Sequence, residues 1–318
     1  MTTIDPEEYL SQSIPPTNLD EIEEQINQFI QQAKKLNLPV VLVTSGGTTV
    51  PLEYQTVRYI DNFSAGTRGA TSAEYFLDNG YHVIFLHRQF SLQPFTRHYS
   101  HTTNCFLDYL GFKDGDEDTI QVTPNVSGKL KTILKKYNTV KEQQRLLEIP
   151  FVTVSDYLFI LTRATKTLDQ LEHNALFYLA AAVSDFFIPS DQMVEHKIQS
   201  SKGDLVITLA KVPKFLKPLV KLWASKAFVV SFKLETDPEL LIPKCQQSID
   251  RYQHQLVIGN LLTTRKNRVL FVTKDEVEEI NLTSEQIDSK LEIESLFVPK
   301  LVQMHQTYIK NFESSLKE

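Results

Sequence analysis

Residues 40–86 read VVLVTSGGTTVPLEYQTVRYIDNFSAGTRGATSAEYFLDNGYHVIFL and carry the most informative pattern in the chain. The run Val40–Val43 is short and entirely apolar, which is typical of a strand buried on both faces of a parallel sheet. A polar loop follows, and then an amphipathic segment with Thr67 as the expected N-cap and Gly80 as the terminating glycine. The run His82–Leu86 predicts the next strand. Strand, helix and strand in this order form a βαβ unit of the Rossmann type.

The flanking segments differ in character on the two sides of this unit. Residues 1–18 carry three prolines and are expected to form an irregular arm, and helical spacing from Asn18 predicts a helix that ends before Pro39. Residues 88–150 interrupt the alternation with an acidic, turn-rich stretch and a basic helix, so we interpret them as an insertion on the core. A cap, a dimerisation element or a solvated segment without a role would each account for that composition.

After the insertion, helices and strands alternate to the end of the chain. The pattern predicts a single three-layer α/β/α domain over residues 1–318, with a mainly parallel Rossmann-like sheet and a hairpin near its end. The expected helices cover 129–148, 155–174, 213–224, 238–251 and a final stretch from about 284 or 293 to 312. The expected strands cover 175–183, 205–209, 228–232 and 255–258, followed by a hairpin of 268–273 with 276–280.

Composition and charge exclude several classes of protein. The chain has 33 Lys and Arg against 39 Asp and Glu, a net charge of −6, and no run of five basic residues, so nucleic-acid binding is not expected. The longest uninterrupted apolar run, 175–183, is far shorter than a membrane span, and the start of the chain lacks the apolar core of a signal peptide. The two cysteines form no CxxC pair. We therefore expect a soluble, cytoplasmic protein with no membrane partner.

Glycine is scarce, with 10 in 318 residues, and four of these fall in one loop. Gly46 and Gly47 follow the first strand, and Gly66 and Gly69 stand where the next helix begins. Backbone N–H groups and the helix dipole at such positions can face a phosphate. The spacing matches neither a Walker A loop nor GxGxxG. Turns and helix caps explain the same glycines without a ligand.

The loop between the two glycine pairs is rich in polar side chains, namely Arg58, Asp61, Asn62 and Ser64. Such a density of polar groups at the end of a buried strand favours a bound partner. Arg58 could equally be a structural clamp on a carboxylate.

A second candidate cluster follows the strand that ends in Ala180–Ala182. Small side chains there let a ligand approach the backbone, and Ser184, Asp185 and Lys197 come next in the chain. A carboxylate suits a hydroxyl or a Mg²⁺-bound phosphate, and a lysine suits phosphate charge. An alanine-rich strand packed beneath a helix, with Asp185 as a helix cap, is the alternative without a ligand.

The sequence resembles a known family in several ordered blocks. Residues 45–77, SGGTTVPLEYQTVRYIDNFSAGTRGATSAEYFL, are similar to the signature of phosphopantothenoylcysteine synthetase. The later blocks that resemble this family are AAAVSDF, HKIQSS, LAKVPKFL, SFKLETDP and IGNLLTTR with VLFVTKD. The resemblance covers roughly residues 20–312 apart from the insertion, and in detail it looks like the free-standing eukaryotic enzyme.

The resemblance implies a ligation in coenzyme A biosynthesis. The carboxylate of 4′-phosphopantothenate attacks the α-phosphate of a nucleoside triphosphate, and pyrophosphate leaves. The amine of L-cysteine then displaces the nucleotide from the acyl-nucleotidylate and forms the amide. Both steps gather negative charge, first on phosphate and then on an oxyanion, so hydrogen-bond donors and Mg²⁺ are expected at the site.

The resemblance also implies roles for individual residues. Asn62 would donate to the oxyanion, and Arg58 would support this loop or reach the substrate phosphate. Lys197 would neutralise triphosphate charge, and Asp185 would contact the ribose or Mg²⁺. The residues expected to bind the nucleotide are Gly46, Gly47, Ser64, Gly66, Gly69, Asp185, Phe232 and Asn260, and those expected to bind the pantothenate part are Asn62, Ala180, Ala181 and Ala182.

ATP is the expected nucleotide, with CTP as the alternative. Bacterial enzymes that prefer CTP carry lysines in the helix before the block IGN, whereas Gln247 and Tyr252 stand near those places here. The resemblance further implies a homodimer with the active site near its interface. Two other functions remain open from the residues, namely a Rossmann-type NAD(P)-dependent oxidoreductase and a non-catalytic nucleotide-binding paralogue.

Overall fold

The computed structural model describes residues 4–99, 105–200 and 203–315. Its helices are α1 (Pro6–Gln12), α2 (Leu19–Lys35), α3 (Thr67–Asp78), α4 (Pro124–Glu142), α5 (Val154–Leu168), α6 (Leu216–Pro218), α7 (Pro238–Tyr252), α8 (Ser284–Asp288) and α9 (Glu294–Ser315). A π-helical turn, Leu219–Trp223, continues α6, and 3₁₀ turns lie at Thr96–Tyr99, Phe106–Tyr109, Asp169–Asn174 and Ser190–Gln192.

The strands are β1 (Val40–Ser45), β2 (Thr49–Pro51), β3 (Tyr59–Asp61), β4 (His82–Arg88), β5 (Leu110–Lys113), β6 (Asp116–Val122), β7 (Leu146–Phe151), β8 (Ala175–Leu179), β9 (Phe186–Phe187), β10 (Ala210–Lys211), β11 (Phe228–Glu235), β12 (Leu256–Leu261), β13 (Arg268–Val272) and β14 (Val277–Asn281). Within the described residues, β2–β3, β5–β6 and β9–β10 form small antiparallel pairs outside the main sheet.

The main sheet has eight strands in the order β14-β13-β12-β11-β8-β1-β4-β7. The strands from β12 to β7 are parallel, and the hairpin β13–β14 is antiparallel at one edge. Val40 of β1 stands opposite His82 on one side and Ala175 on the other, so the chain order of the strands reverses between β1 and β8. The predicted α/β fold class, three layers around a mainly parallel Rossmann-like sheet, is confirmed.

Side chains of the sheet alternate between two hydrophobic cores. Leu42 of β1 packs with α2, α5 and the end of α6, a side that we call the α5 face. Val41 and Val43 pack with α3 and α9, which we call the α3 face. All residues of β1 are buried, as expected for a central strand covered on both sides. No helix in the described ranges is long and apolar enough to cross a bilayer.

The structure corrects the C-terminal boundary of the predicted insertion. The basic helix ends at Glu142, and the residues that follow it form β7, which pairs with β4 at the edge of the main sheet. Ile149 is buried against the sheet, and Pro150, which has no N–H to donate, is tolerated because an edge strand has one neighbour. Residues 100–104 lie outside the described residues. The division of the chain into domains stays a prediction.

Several local predictions differ from the structure. The predicted strand 205–209 is wrong, since Val206 is 86% exposed and the nearby strand is β10, paired with β9. The arm is helical over α1 because Asp5 caps it and Tyr9 is buried, while residues 1–3 lie outside the described part. The N-cap of α3 is Gly66, which adopts a left-handed φ of 82°, and not Thr67. The strand predicted over 175–183 ends at Leu179.

Candidate active site

The two segments singled out in the sequence meet beyond the ends of β1 and β8, where the strand order reverses. The Ala182 N–H donates to the Gly46 carbonyl at 2.8 Å, and the Thr48 N–H donates to the Ala182 carbonyl at 3.1 Å. Gly47 and Ala182 thus extend the sheet by one bridge. Open α/β sheets bind their ligands at such a reversal. The glycine-rich and alanine-rich segments therefore form one candidate site.

Close contacts with neighbouring atoms explain three of the loop glycines. A Cβ atom at Gly47 would lie 1.6 Å from the carbonyl oxygen of Asn62, and one at Gly69 would lie 2.4 Å from the side chain of Ser45. Gly46 has a φ of 83°, and a Cβ there would lie 2.6 Å from a neighbouring side chain. Packing alone therefore requires these glycines, and their contact with a nucleotide stays a prediction.

Helix α3 begins beside this loop with uncapped amide groups. Gly66 is its N-cap, and in the described part of the chain no side chain caps it. The Ser45 hydroxyl donates to the Gly66 carbonyl at 3.0 Å, and the Gly66 N–H donates to Ser64 Oγ at 3.4 Å. The first intrahelical donor is Ala70. The N–H groups of residues 67–69 and the helix dipole therefore favour an anion here.

Asn62 is positioned by its backbone and not by its side chain. Its N–H donates to the Thr48 carbonyl at 3.1 Å, and its carbonyl oxygen packs against Gly47. The side-chain amide is partly buried and has no hydrogen-bond partner among the described residues. The neighbouring Asp61, by contrast, forms an ion pair with Arg88. The Asn62 amide is therefore a polar group that the loop can offer to a ligand.

Arg58 holds a carboxylate inside the protein. Its guanidinium donates to Glu53 at 3.0 Å and to the Ile198 carbonyl at 3.2 Å. Glu53 is fully buried and also accepts from the N–H groups of Val57, Arg58 and Ile198. Burial alone would raise the pKa of Glu53, but these hydrogen bonds outweigh it and lower the pKa. Arg58 thus has the structural role that the sequence analysis gave as one alternative, since it binds a buried carboxylate. Its contact with a substrate phosphate stays a prediction.

The Arg58 clamp joins the loop after β2 to the segment that carries Lys197. The Tyr54 N–H donates to the Val194 carbonyl at 2.9 Å, and the Gln55 N–H donates to the Glu195 carbonyl at 3.0 Å. Lys197 itself is exposed, and in the described ranges it makes no ion pair. Its charge is therefore available to an anion, although its contact with a triphosphate stays a prediction.

The backbone donors of the alanine run are used within the protein. The Ala181 N–H donates to Thr44 Oγ1 at 3.1 Å, and the Ala180 N–H donates to the Tyr178 carbonyl at 3.2 Å. The Ala182 N–H is bonded to the first loop glycine, as described above. These N–H groups are therefore not free to bind the pantothenate amide. The predicted contact would involve the carbonyl oxygens of this run, in the space that its small side chains leave.

Asp185 is exposed and forms an ion pair with Lys214 at 2.8 Å. Its carbonyl accepts from the Val212 N–H at 2.9 Å, which holds the two chain segments together. Among the described residues there is no group of three or more His, Cys, Asp or Glu that could hold a metal ion. Since Mg²⁺ usually keeps several waters and phosphate oxygens, Asp185 fits a metal carried by a triphosphate better than a protein-bound metal.

Phe232 and Asn260 lie towards the α3 face of the sheet. The Phe232 ring packs against Tyr178 with centroids 5.0 Å apart. The carbonyl oxygen of the Asn260 side chain accepts from Arg68 at 3.5 Å, and Arg68 pairs with the buried Glu294 at 2.7 Å. Burial raises the pKa of Glu294, and the charge of Arg68 partly offsets the effect. Arg68 thus brings Asn260 next to the start of α3, where the nucleotide residues were predicted.

The sequence reasoning missed four residues that hold the predicted ones in place, namely Thr48, Glu53, Arg68 and Lys214. The first three stand inside the block over residues 45–77, and the fourth stands in LAKVPKFL. The family resemblance could therefore have pointed to them. Residue spacing gives no sign of these pairings.

Comparison with known proteins identifies the family. Residues 148–295 match the family model of the DNA/pantothenate metabolism flavoprotein C-terminal domain. The chain is 44% identical to phosphopantothenate–cysteine ligase CAB2 of Saccharomyces cerevisiae over 99% of its own length and 89% of that protein. The chain belongs to the phosphopantothenate–cysteine ligase family. The human phosphopantothenate–cysteine ligase is 45% identical over 85% of this chain and 87% of its own length.

Two solved structures share the fold of this chain, one of them at high sequence identity. The structure of a Cab2 mutant in complex with phosphopantothenate-cysteine has a TM-score of 0.89 and 44% identity, and the match covers 96% of this chain and 99% of that one. A DNA/pantothenate metabolism flavoprotein from Streptococcus pneumoniae shares the fold, with a TM-score of 0.55 and 20% identity. The resemblance found in the sequence is confirmed, and the oxidoreductase alternative loses its support.

Proposed function

We propose that the protein ligates 4′-phosphopantothenate to L-cysteine in coenzyme A biosynthesis and activates the carboxylate with a nucleoside triphosphate. The carboxylate oxygen attacks the α-phosphorus, and pyrophosphate leaves with the electron pair of the broken P–O bond. The amine nitrogen of cysteine then attacks the acyl carbon. The nucleoside monophosphate leaves with the electron pair of the C–O bond, and the nitrogen releases a proton as the amide forms.

The free side-chain amide of Asn62 carries this proposal. It lies where β1 and β8 end, in a member of the ligase family, and it can donate to the oxyanion that forms on the acyl carbon. Because the Asn62 backbone is already fixed, the donor needs little reorganisation during the reaction. Arg58 is a positioning residue in this proposal, since its guanidinium already binds Glu53 and a backbone carbonyl.

The nucleotide is proposed to bind across the ends of the central strands, with most of its contacts on the α3 face. The amide groups at the start of α3 and the loop with Gly46 and Gly47 would meet the phosphates. Phe232 would pack on the base or ribose, and Asn260 would hold the nucleotide further along the sheet. Lys197 would add positive charge. Asp185 would contact the ribose or a Mg²⁺ ion whose charge helps to neutralise the phosphates.

ATP is the proposed nucleotide, because the helix before β12 carries no lysine at the places occupied by Gln247 and Tyr252. CTP remains the alternative. A homodimer is proposed from the family resemblance, with the active site near its interface. Sedimentation velocity would detect this dimer at the concentrations used for assays.

The reaction can be tested by measuring pyrophosphate. Purified protein with phosphopantothenate, L-cysteine, Mg²⁺ and ATP should release pyrophosphate, and release with CTP should be slower. Without cysteine, labelled pyrophosphate should still exchange into ATP, because the first step needs no amine. A faster reaction with CTP would reverse the nucleotide choice. Nucleotide binding without pyrophosphate release from either nucleotide would instead indicate the non-catalytic paralogue and contradict the proposal.

A further inference from the structure

The predicted insertion carries an apolar cavity of about 360 Å³ between α4 and the start of the hairpin β5–β6. The α4 side chains that line it are Leu130, Ile133, Leu134 and Tyr137, and Leu110 of β5 lines it as well. Nearly all of its wall is aliphatic or aromatic. Among the described residues, none that is assigned above to the nucleotide or to the pantothenate part lines it. The cavity therefore lies apart from the candidate active site.

The hairpin extends this apolar surface beyond the cavity. Leu110 pairs with Val122, and Phe112 pairs with Ile120 across the two strands. Alternate residues of a strand share a face, so Phe112 lies on the face of Leu110, with Ile120 beside it. The Phe112 and Ile120 side chains are each 64% exposed. A two-stranded hairpin is only marginally stable in water, and within the described residues no third strand joins this one. An apolar surface that covered this face would therefore stabilise it.

The two walls of this surface carry opposite charges. Lys131 and Lys135 each follow a cavity-lining leucine in α4, so they lie along the outer edge of the cavity. Asp114 and Asp118 lie at the turn end of the hairpin. All four side chains are exposed, and in the described part of the chain none of them makes an ion pair. Each wall therefore offers unpaired charge of one sign to a partner.

This charge pattern favours one kind of partner. The lysines would attract an acidic peptide or an anionic membrane, but the aspartates of the hairpin would repel it, and a basic partner would meet the reverse problem. A second copy of the chain, related by a twofold axis, places its hairpin against this α4 and its α4 against this hairpin. The apolar walls and the opposite charges are then matched twice, as in an interface between identical chains.

We propose that this apolar face is an interface between two copies of the chain, in which Phe112 and Ile120 of each copy enter the cavity beside α4 of the other. Burial of these side chains supplies the affinity, because exposed charge pairs contribute little and mainly set the orientation. The interface is independent of ligase activity and of the homodimer proposed at the active site. The two interfaces together would join four chains through two kinds of twofold contact.

Sedimentation velocity over a range of protein concentrations tests this interface. Phe112→Ser should halve the mass of the associated species, from four chains to two where the active-site dimer forms and from two to one where it does not. Loss of a buried aromatic anchor usually weakens association by about 30-fold or more. Because Phe112 is exposed in the single chain, the variant should keep the wild-type fold. Leu36→Ser is the matched control, since it removes another exposed apolar side chain and should keep the wild-type mass.

Charge reversal tests the orientation of the two copies. The double variant Lys131→Glu with Lys135→Glu should weaken association by about fivefold or more, because its new carboxylates would face the aspartates of the other copy. Addition of Asp114→Lys and Asp118→Lys to this variant should restore association, since the charges are then exchanged between the two walls. Failure of this exchange to restore association would contradict the reciprocal arrangement.

An unchanged mass in Phe112→Ser would overturn the inference. If the protein of unchanged mass also bound phosphatidylserine vesicles, the face would instead be assigned to a membrane surface. Pyrophosphate release per chain should stay within about twofold of wild type in Phe112→Ser, and a larger loss would contradict the independence of this face from the reaction. Absence of pyrophosphate release from the wild-type protein would refute the proposed function alone, since the mass measurement does not depend on it.

Discussion

The side chain of Asn62 makes no hydrogen bond within the described residues, while its backbone is held by Thr48. Removal of the amide should therefore affect the reaction and not the fold. We expect Asn62→Ala to lower the rate of ligation by about 10²-fold, the scale for loss of one oxyanion donor. Nucleotide affinity should change little. Pyrophosphate release gives the rate, and calorimetric titration gives the nucleotide affinity.

Asn281→Ala is a suitable control for this prediction, since Asn281 is an exposed residue of the edge strand β14. It should keep wild-type turnover. Wild-type turnover in Asn62→Ala would refute the role assigned to its amide. A large loss of nucleotide affinity in Asn62→Ala would move the residue to the nucleotide side of the site.

At the level of single residues, the sequence identified polar side chains that belong to family motifs. It did not identify the residues that form hydrogen bonds or ion pairs with them. Asp185 was predicted, whereas Lys214 lies 29 positions away and meets it only through the fold. Glu53 was missed because a carboxylate five positions before Arg58 carries no periodic signal. The loop glycines were explained both by a phosphate site and by turns and caps. A Cβ atom at Gly47 would lie 1.6 Å from the carbonyl oxygen of Asn62, so packing alone requires a glycine at this position.

At the level of elements, periodicity predicts those whose burial is regular. The helix α2 and the strands β1 and β4 follow from apolar spacing alone. Residues 146–148 were predicted as the end of a helix and 205–209 as a strand, yet the first belong to β7, paired with β4, and the second form no strand. Pairing depends on what lies beside a segment in space, and local sequence does not contain that information. Val206 therefore stays exposed, although its sequence neighbours favour a strand.

Helix α3, which carries the predicted phosphate-binding start, is tied to the segment after β4 by Glu74. Its carboxylate accepts from the Phe95 N–H and the Arg97 side chain at 2.7 Å, and it lies 3.0 Å from His98. Burial alone would raise the pKa of Glu74, but hydrogen bonds from His98, Arg97 and Phe95 lower it to about 2. The carboxylate is therefore more stable ionised in the folded protein than in the unfolded chain.

The sign of the pH dependence follows from this lowered pKa. Because the folded value of about 2 lies below the ordinary value of 4.5, the ionised Glu74 stabilises the fold fully above pH 4.5 and less as the pH falls toward 2. Glu74→Gln should lower the free energy of unfolding at pH 7 by about 2 to 3 kcal/mol and flatten its dependence between these pH values. Urea unfolding at several pH values measures the free energy of unfolding and its dependence on pH.

The exposed Glu142, at the end of α4, provides the control for Glu74. Glu142→Gln should leave the free energy of unfolding within about 0.5 kcal/mol of wild type. If Glu74→Gln retained the full pH dependence of wild type, other carboxylates would account for acid unfolding, and Glu74 would not be a major contributor.

At the level of the whole molecule, the sheet brings the proposed binding residues together at the ends of its central strands. The start of α3 and Asn260 lie on the α3 face, and Asp185 and Lys214 lie towards the α5 face. Gly47 and Ala182 bridge the two sides beyond the ends of β1 and β8. In the proposed reaction, the carboxylate first attacks the α-phosphorus and the amine of cysteine then displaces the nucleotide, so all three substrates must meet at these strand ends.

The N-terminal arm is part of the α5 face and not an appendage. Tyr9 of α1 is 2% exposed, and its ring packs 4.8 Å from Phe187 and 5.9 Å from Phe215. Truncation of such a ring typically costs about 3 to 5 kcal/mol, more than a seven-residue helix can recover by itself. Tyr9→Ala should therefore release the arm before the sheet unfolds.

Hydrogen exchange and limited proteolysis would detect this release. In Tyr9→Ala, amides of residues 5–17 should exchange faster and become cleavable, while the amides of β1 and β8 keep wild-type protection, because the central strands do not depend on α1. Ile14→Ala is the control, since Ile14 belongs to the same arm but is 69% exposed. Faster exchange across the whole sheet in Tyr9→Ala would show instead that the arm and the sheet unfold as one cooperative unit.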